Sequence, residues 1–290
     1  MGGFHRRWLL PPGVHDVLSR TTAAVKSAIS PSRRARRRLV KENEALRDRH
    51  RGRRCFIIGN GPSLAQQDLA PLADDVTIVM NAFYRHPILK TGWRPTIHCM
   101  AEPAAAYDDP RLLQILRDCA TGANAHLHVF PIEVRDIVRQ YDLLPDERVR
   151  YVDFRGTTDS YPSDRQPTLT DTLPYMTNTA HLSLVVAMHL GCSPIYLMGM
   201  DHDWLAHKGF DRHFYAHQGI ESESGSLWDL DSYPYLELME SSIRAWRDYI
   251  WLRRIAEQSG FEILNASHGG FLDVFPRADY TKVVGVRTAA

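Results

Sequence analysis

A chain of 290 residues with 44% hydrophobic side chains is long and apolar enough for one large α/β core, and its composition excludes a fibrous or disordered class. No apolar run approaches the ~18 residues of a membrane span, so no transmembrane helix is expected. The net charge of +1 conceals a division: residues 1–54 hold 15 Lys or Arg against 4 Asp or Glu, and the rest of the chain is net acidic.

That contrast separates a basic N-terminal arm, residues 1–53, from a body at 54–290. After Pro31 the notable apolar positions of the arm are Leu39, Val40, Ala45 and Leu46, too few for a core-facing stripe. The arm reads either as a solvated helix or leader, or as a contact with an anionic membrane surface, where each basic residue contributes about 1 kcal/mol. No helix-turn-helix or aromatic-interleaved basic motif is present, so nucleic acid is not an expected partner. The four cysteines, Cys55, Cys99, Cys119 and Cys192, form no CxxC pair and read as buried reduced thiols, which suits a cytoplasmic location.

The run Cys55-Phe56-Ile57-Ile58 predicts a buried parallel strand, followed by a tight Gly59-Asn60-Gly61 turn and a helix start at Pro62-Ser63. A strand that breaks into glycines at a helix N-terminus is suited to an anion, because free N–H groups and the helix dipole face it. The spacing is neither GxGxxG nor GxxxxGK[ST], and a structural turn explains it equally well. Further strands are predicted at 77–80, 96–100, 125–130, 149–152, 194–201 and 261–265, with helices at 110–122, 132–142, 178–190 and 236–259. This alternation predicts an α/β, doubly wound, mostly parallel Rossmann-like sheet. Residues 202–235 are rich in His, aromatic and acidic residues without periodicity, and read as a lid.

In such sheets ligands bind beyond the carboxyl ends of the strands. Asn60, Asn81, Glu102, Asp201 and Asn265 all fall there. Each alone is ordinary turn chemistry; five on one edge suggest a site. Thr179 opens a helix, as its cap or as a phosphate ligand.

The segments Gly59-Asn60-Gly61-Pro62-Ser63-Leu64, Asn81-Ala82-Phe83-Tyr84, Thr179-Ala180 and Ile195-Tyr196-Leu197-Met198-Gly199-Met200-Asp201 resemble those of bacterial lipooligosaccharide sialyltransferases. They also resemble the wider superfamily of motility accessory factors and archaeal hydroxymethylpterin pyrophosphokinase. The ending Asn265-Ala266-Ser267 with Gly269-Gly270-Phe271-Leu272-Asp273 is more like that wider group. The resemblance covers residues 54–281 and implies a GT-A-like variant of a single nucleotide-binding domain. It implies that Asn60, Ser63 and Asn81 hold a nucleotide monophosphate and that Thr179 contacts the donor. It also implies that the second histidine of His213-Phe214-Tyr215-Ala216-His217 is the general base, a role that suits an imidazole near neutral pH.

The expected nucleotide-binding set is Gly59, Asn60, Gly61, Ser63, Asn81, Glu102, Thr179, Ala180, Gly199, Asp201 and Tyr215. His217, His213 and Asp201 are the catalytic candidates, and no metal ligands are expected. Glu102 and Met176 stand where the sialyltransferases carry Asn and Arg, and the paired lid tyrosines are not cleanly reproduced, Trp204, Tyr215, Tyr233 and Tyr235 being the candidates. The sugar is therefore left open.

The first functional reading is a glycosyltransferase that uses a nucleotide-sugar donor, CMP-linked in the closest resemblance, and a glycan or lipid-linked acceptor. It would be cytoplasmic, peripheral on the inner membrane face through residues 1–54, with an oligomer left open. A second is a Mg²⁺-dependent pyrophosphokinase-like enzyme, with Glu102, Asp201 and Asp203 as carboxylates. A third is a non-catalytic nucleotide-binding protein.

Overall fold

The computed structural model describes residues 33–101, 110–161, 164–206, 213–215 and 234–285. The chain divides into two compact units, Met1–Arg36 and Arg37–Ala290. A short helix α1 (Arg33–Lys41) crosses that boundary.

The second unit holds a sheet of eight strands: β1 (Cys55–Ile58), β2 (Val76–Met80), β3 (Ile97–Cys99), β4 (Leu127–Pro131), β5 (Val149–Thr157), β6 (Thr172–Tyr175), β7 (Ile195–Met198) and β8 (Ile263–Asn265). Their order is β6-β5-β4-β3-β2-β1-β7-β8, and every neighbouring pair is parallel. The helices are α2 (Pro110–Gly122), α3 (Arg135–Gln140), α4 (Thr179–His189), α5 (Tyr235–Gln258) and α6 (Tyr280–Gly285). This is the doubly wound α/β sheet that the strand–helix alternation implies.

Both faces of the central strands are covered, which is why β1 is apolar at every position. Cys55 and Ile57 join the core under α4 and α5, while Phe56 and Ile58 join Leu64, Leu72, Phe83 and Met198 on the other face. β6 escapes the hydropathy pattern because it is short, holds Pro174 and lies at the sheet edge, where a missing N–H is tolerated.

Two expectations are corrected. Pro62–Gln66 is one turn of 3₁₀ helix, after which Gln67 is extended, so no helix dipole backs the Gly59–Ser63 turn. Residues 37–53 belong to the body and not to a detached arm. Val40 and Leu46 are buried, and Asn43 donates to the carbonyls of Tyr151 and Leu169 at 2.9 and 2.7 Å. The compact unit therefore starts at Arg37 instead of residue 54. Sparse apolar residues suffice here because a single buried asparagine docks the segment.

The chain runs from β1 outward to β6 and returns to β7 on the other flank of β1. The strand order reverses between β1 and β7, and in such sheets ligands bind beyond the carboxyl ends of the strands at that point.

Candidate functional site

Beyond the carboxyl end of β1 stands the Gly59–Ser63 turn, whose Gly61 N–H bonds the Gly199 carbonyl at 2.9 Å. A Cβ on Gly59 would lie 2.5 Å from the Gly199 carbonyl, and one on Gly61 would lie 2.5 Å from Asp201 Oδ2. The glycines are thus required by the approach of the chain leaving β7, whatever ligand enters. Gly61→Ala is expected to push Asp201 and the turn apart, lower the melting temperature by several degrees, and cut ligand affinity at least tenfold. Calorimetric melting and nucleotide titration check this, and a variant with unaltered melting would show that the turn yields without cost.

Asp201 is buried. Its Oδ2 accepts the Ser63 N–H at 2.8 Å and its Oδ1 accepts the Ser63 hydroxyl. Burial raises the Asp201 pKa, and the two Ser63 hydrogen bonds oppose that rise. Ser63 was expected to donate to a phosphate; both its donors are instead spent on a carboxylate. Asp201 is held from behind by Phe271, whose N–H bonds the Asp201 carbonyl at 2.7 Å, and Ser267 Oγ accepts the Met200 N–H at 3.0 Å.

Asn60 is buried, and its Nδ2 donates to the Met80 carbonyl at 3.1 Å. That acceptor fixes the amide orientation and leaves Oδ1 without a partner among the described residues. Oδ1 is itself buried, so the Asn60 side chain braces the turn against β2 and offers no donor for phosphate. Asn81 adopts the left-handed region at φ 47°. Its Oδ1 accepts the Thr179 hydroxyl at 3.0 Å, which turns its amide nitrogen elsewhere, and its carbonyl is bonded by His98 Nε2 at 2.9 Å. Thr179 and Ala180 open α4, with Asn178 as N-cap in a capping box with His181.

The circuit continues through residues that sequence reasoning did not single out. Asn178 Oδ1 is 3.5 Å from the Tyr249 hydroxyl, which is hydrogen-bonded to His202 Nε2 at 2.8 Å. Asn178 Nδ2 and His202 Nδ1 have no partner among the described residues. Beside them Asp248 accepts from Thr158 Oγ1 at 2.8 Å, Thr177 N at 2.8 Å and Thr177 Oγ1 at 2.7 Å. Burial lowers the His202 pKa to about 3 and raises that of Tyr249. The position of Asn178 just before an apolar helix was a visible cap signal. Nothing local marks Tyr249 or Asp248, which lie mid-helix in α5.

The model of the 6-hydroxymethylpterin diphosphokinase MptE-like family matches residues 36–206, more than half of the chain. The chain belongs to this family. The structure of the sialyltransferase CstII from Campylobacter jejuni with the substrate analogue CMP-3FNeuAc is similar at 14% identity and a TM-score of 0.42, covering 78% of this chain and 85% of that one. The CstII complex with cytidine-5'-monophosphate gives 14% identity and 0.44 over 79% and 86%. The complex with a trisaccharide acceptor and CMP gives 14% and 0.42 over 77% and 85%. No curated protein matches the sequence.

In this MptE-like chain the polar strand ends come together as a ring around the carboxyl ends of β1, β2 and β7: Asn60, Asn81, Thr179, Asn178, Tyr249, His202, Asp201 and Ser63. Gly199, at φ 59°, makes the bend that brings Asp201 over the turn. Asn265 stands apart from the ring, donating to the Leu272 carbonyl at 2.8 Å inside the fold. Glu102 and His217, and most of the segment expected to form a lid, lie outside the described residues. Of that segment Phe214 is placed, its N–H bonding the Asn60 carbonyl at 2.8 Å, and Tyr215 lies under the Arg85 guanidinium at 4.9 Å. His213 stacks on Tyr215 at 4.9 Å. Tyr235 reaches the Leu205 carbonyl at 3.2 Å, at the start of α5.

A cavity of about 440 Å³ is lined by Gln66, Gln67, the Ala266–Gly269 loop and Arg277–Thr281, and by no residue of the ring. Its loop wall is fixed by Arg277, which donates to the carbonyls of Ser267, Gly269 and Gly270. Among the described residues no group of three His, Cys, Asp or Glu side chains converges as cation ligands. No helix of the described residues is long and apolar enough to cross a membrane.

Proposed function

We propose that the chain is a nucleotide-dependent transferase whose nucleoside phosphate lies in the β1/β7 crevice, with a nucleotide-sugar donor as the first candidate and a glycan or lipid-linked molecule as acceptor. The observation that carries this is the chemical division of the ring. The β1/β7 side carries the Asp201 carboxylate, an acceptor suited to ribose hydroxyls or base N–H groups. The β2/α4 side presents donors. The Asn81 amide is oriented by Thr179, and the positive end of the α4 dipole is suited to phosphate. This assignment moves the phosphate from the Gly59–Ser63 turn to the start of α4, because an anion at Ser63 would meet the Asp201 carboxylate.

In this reading His217 deprotonates the acceptor hydroxyl, a role carried over from the sialyltransferase resemblance, and the basic N-terminal segment brings the enzyme to an anionic membrane face. The family's description favours phosphotransfer as a second reading. That chemistry needs a Mg²⁺ held by carboxylates, and the described residues do not assemble such a set.

The test is a thermal-shift series with CMP, UDP, GDP, ADP and ATP, with and without Mg²⁺. A cytidine or uridine nucleotide is expected to stabilise without metal, by about 2.7 kcal/mol at a hundredfold excess over Kd. Asn81→Ala is expected to weaken binding by ~1.5–3 kcal/mol, the range for a hydrogen bond to a charged group. Turnover should survive EDTA. Stabilisation by ATP only with Mg²⁺, and activity abolished by EDTA, would select the phosphotransfer reading; no shift with any nucleotide would sink both.

A further inference from the structure

Helix α5 has two different faces. Leu238, Ala245, Tyr249, Leu252, Ile255 and Ala256 are buried against the body of the protein. At about 100° per residue, Leu236, Ile243 and Ile250 fall on the opposite side. They are 61%, 52% and 57% exposed, among the most exposed large apolar side chains of the described residues. Their spacing is one heptad, so they form a straight outward seam of the kind that pairs helices. A solvated face would not be expected to repeat Leu or Ile in that register.

The charges beside the seam select the occupant. Glu240 lies between Leu236 and Ile243, and Arg247 lies between Ile243 and Ile250 on the same side. A second copy of the helix laid antiparallel, with a two-fold axis at Ile243, would set Leu236 against Ile250 of the partner copy. It would also set Glu240 against the partner's Arg247, twice by symmetry. A parallel arrangement would put this flank of the two copies on opposite sides of the seam, where neither charge meets its opposite. We propose that the outward face of α5 is the interface of an antiparallel homodimer, isologous about Ile243. The same helix carries Asp248 and Tyr249 inward to the polar ring, so dimerisation would brace the wall of the candidate site from outside.

The full-length chain is expected to sediment as a dimer at micromolar concentration. Ile243→Asp is expected to make it monomeric with an unshifted far-ultraviolet spectrum, since the position is exposed. Glu240→Arg should weaken the dimer at least tenfold, and the double variant Glu240→Arg/Arg247→Glu should restore it. Orientation is read by crosslinking, the four native cysteines being buried. Leu236→Cys mixed with Ile250→Cys should form an interchain disulfide on oxidation, and Leu236→Cys alone should not. A monomeric full-length chain overturns the proposal, as does a dimer that Ile243→Asp leaves intact. A monomer whose binding to vesicles of phosphatidylglycerol is lost in Ile243→Asp would assign the seam to lipid and equally overturn it.

Discussion

Deleting residues 1–52 is expected to abolish the cooperative fold, whereas a chain beginning at Arg33 should melt within a few degrees of the full-length protein. The segment between these two starts fills a slot in the body. Val40 and Leu46 are both 3% exposed, and each contributes about 1.5–3 kcal/mol of burial. Asn43 is fully buried and satisfies two carbonyls, of Tyr151 and Leu169, while its own carbonyl is bonded to His189 Nε2 at 2.9 Å. The amides of Asp48, His50 and Gly52 then bond in turn to the carbonyls of His189, Leu190 and Gly191 at 3.0, 2.9 and 2.8 Å, so the segment closes the C-terminal end of α4. Losing all of this approaches the roughly 5–15 kcal/mol that hold a domain together. Asn43→Ala alone is expected to cost about 2–4 kcal/mol, because two buried carbonyls lose their donor. Circular-dichroism melts of both truncations decide the matter: a chain starting at Arg53 that melts like the full-length one would make the segment dispensable.

Acid is expected to start destabilising this protein near pH 6.5, before its carboxylates titrate. His98 and His128 are fully buried on β3 and β4, with ring centroids 5.3 Å apart. Both nitrogens of His128 and Nδ1 of His98 have no partner among the described residues. Burial lowers the His98 pKa to about 4; burial, reinforced by the neighbouring His98 and arginines, lowers that of His128 to about 2. In the unfolded chain both titrate near 6.5. Between pH 6.5 and 4 the unfolded state binds the protons and the native state does not, so stability is fully present above 6.5 and falls as pH drops through that window. Each histidine contributes a slope of about 1.4 kcal/mol per pH unit, or roughly 3 kcal/mol apiece by pH 4. Burial also lowers the His181 pKa to about 4 and that of His202 to about 3, so urea titrations from pH 8 to 4 should show the summed slope of four histidines, and His128→Leu should remove about a quarter of it. A stability flat from pH 7 to 4.5 would show that the pair is protonated or hydrated in the native state. His98 stays neutral in the native state through this interval, so its bond to the Asn81 carbonyl, and ligand affinity with it, should hold until the pH nears 4.

The parts of this protein legible without coordinates are those whose cause is local. A strand buried on both faces must be apolar throughout, so β1, β2, β7 and the long helices stand out in the pattern of residues. A doubly wound sheet then assigns the polar strand ends Asn60, Asn81 and Asp201 to one edge. The start of α4 is legible in Thr177-Asn178-Thr179, though the cap is Asn178 and not the expected Thr179, which is the first helical residue. β6 stays hidden, since a short edge strand containing Pro174 needs only its neighbour.

What tertiary structure alone decides is who faces whom. Ser63 and Asp201 are 138 residues apart, and their union turns an expected phosphate ligand into a carboxylate clamp. Asn43 lies 108 residues from the Tyr151 carbonyl that it bonds, and that bond converts a stretch of basic chain into part of the core. The side of α5 left to solvent depends on where α4 and β8 put the other side. Hydropathy reports whether a residue prefers burial. Which partner meets it follows from strand order, and strand order is set by the packing of the whole sheet.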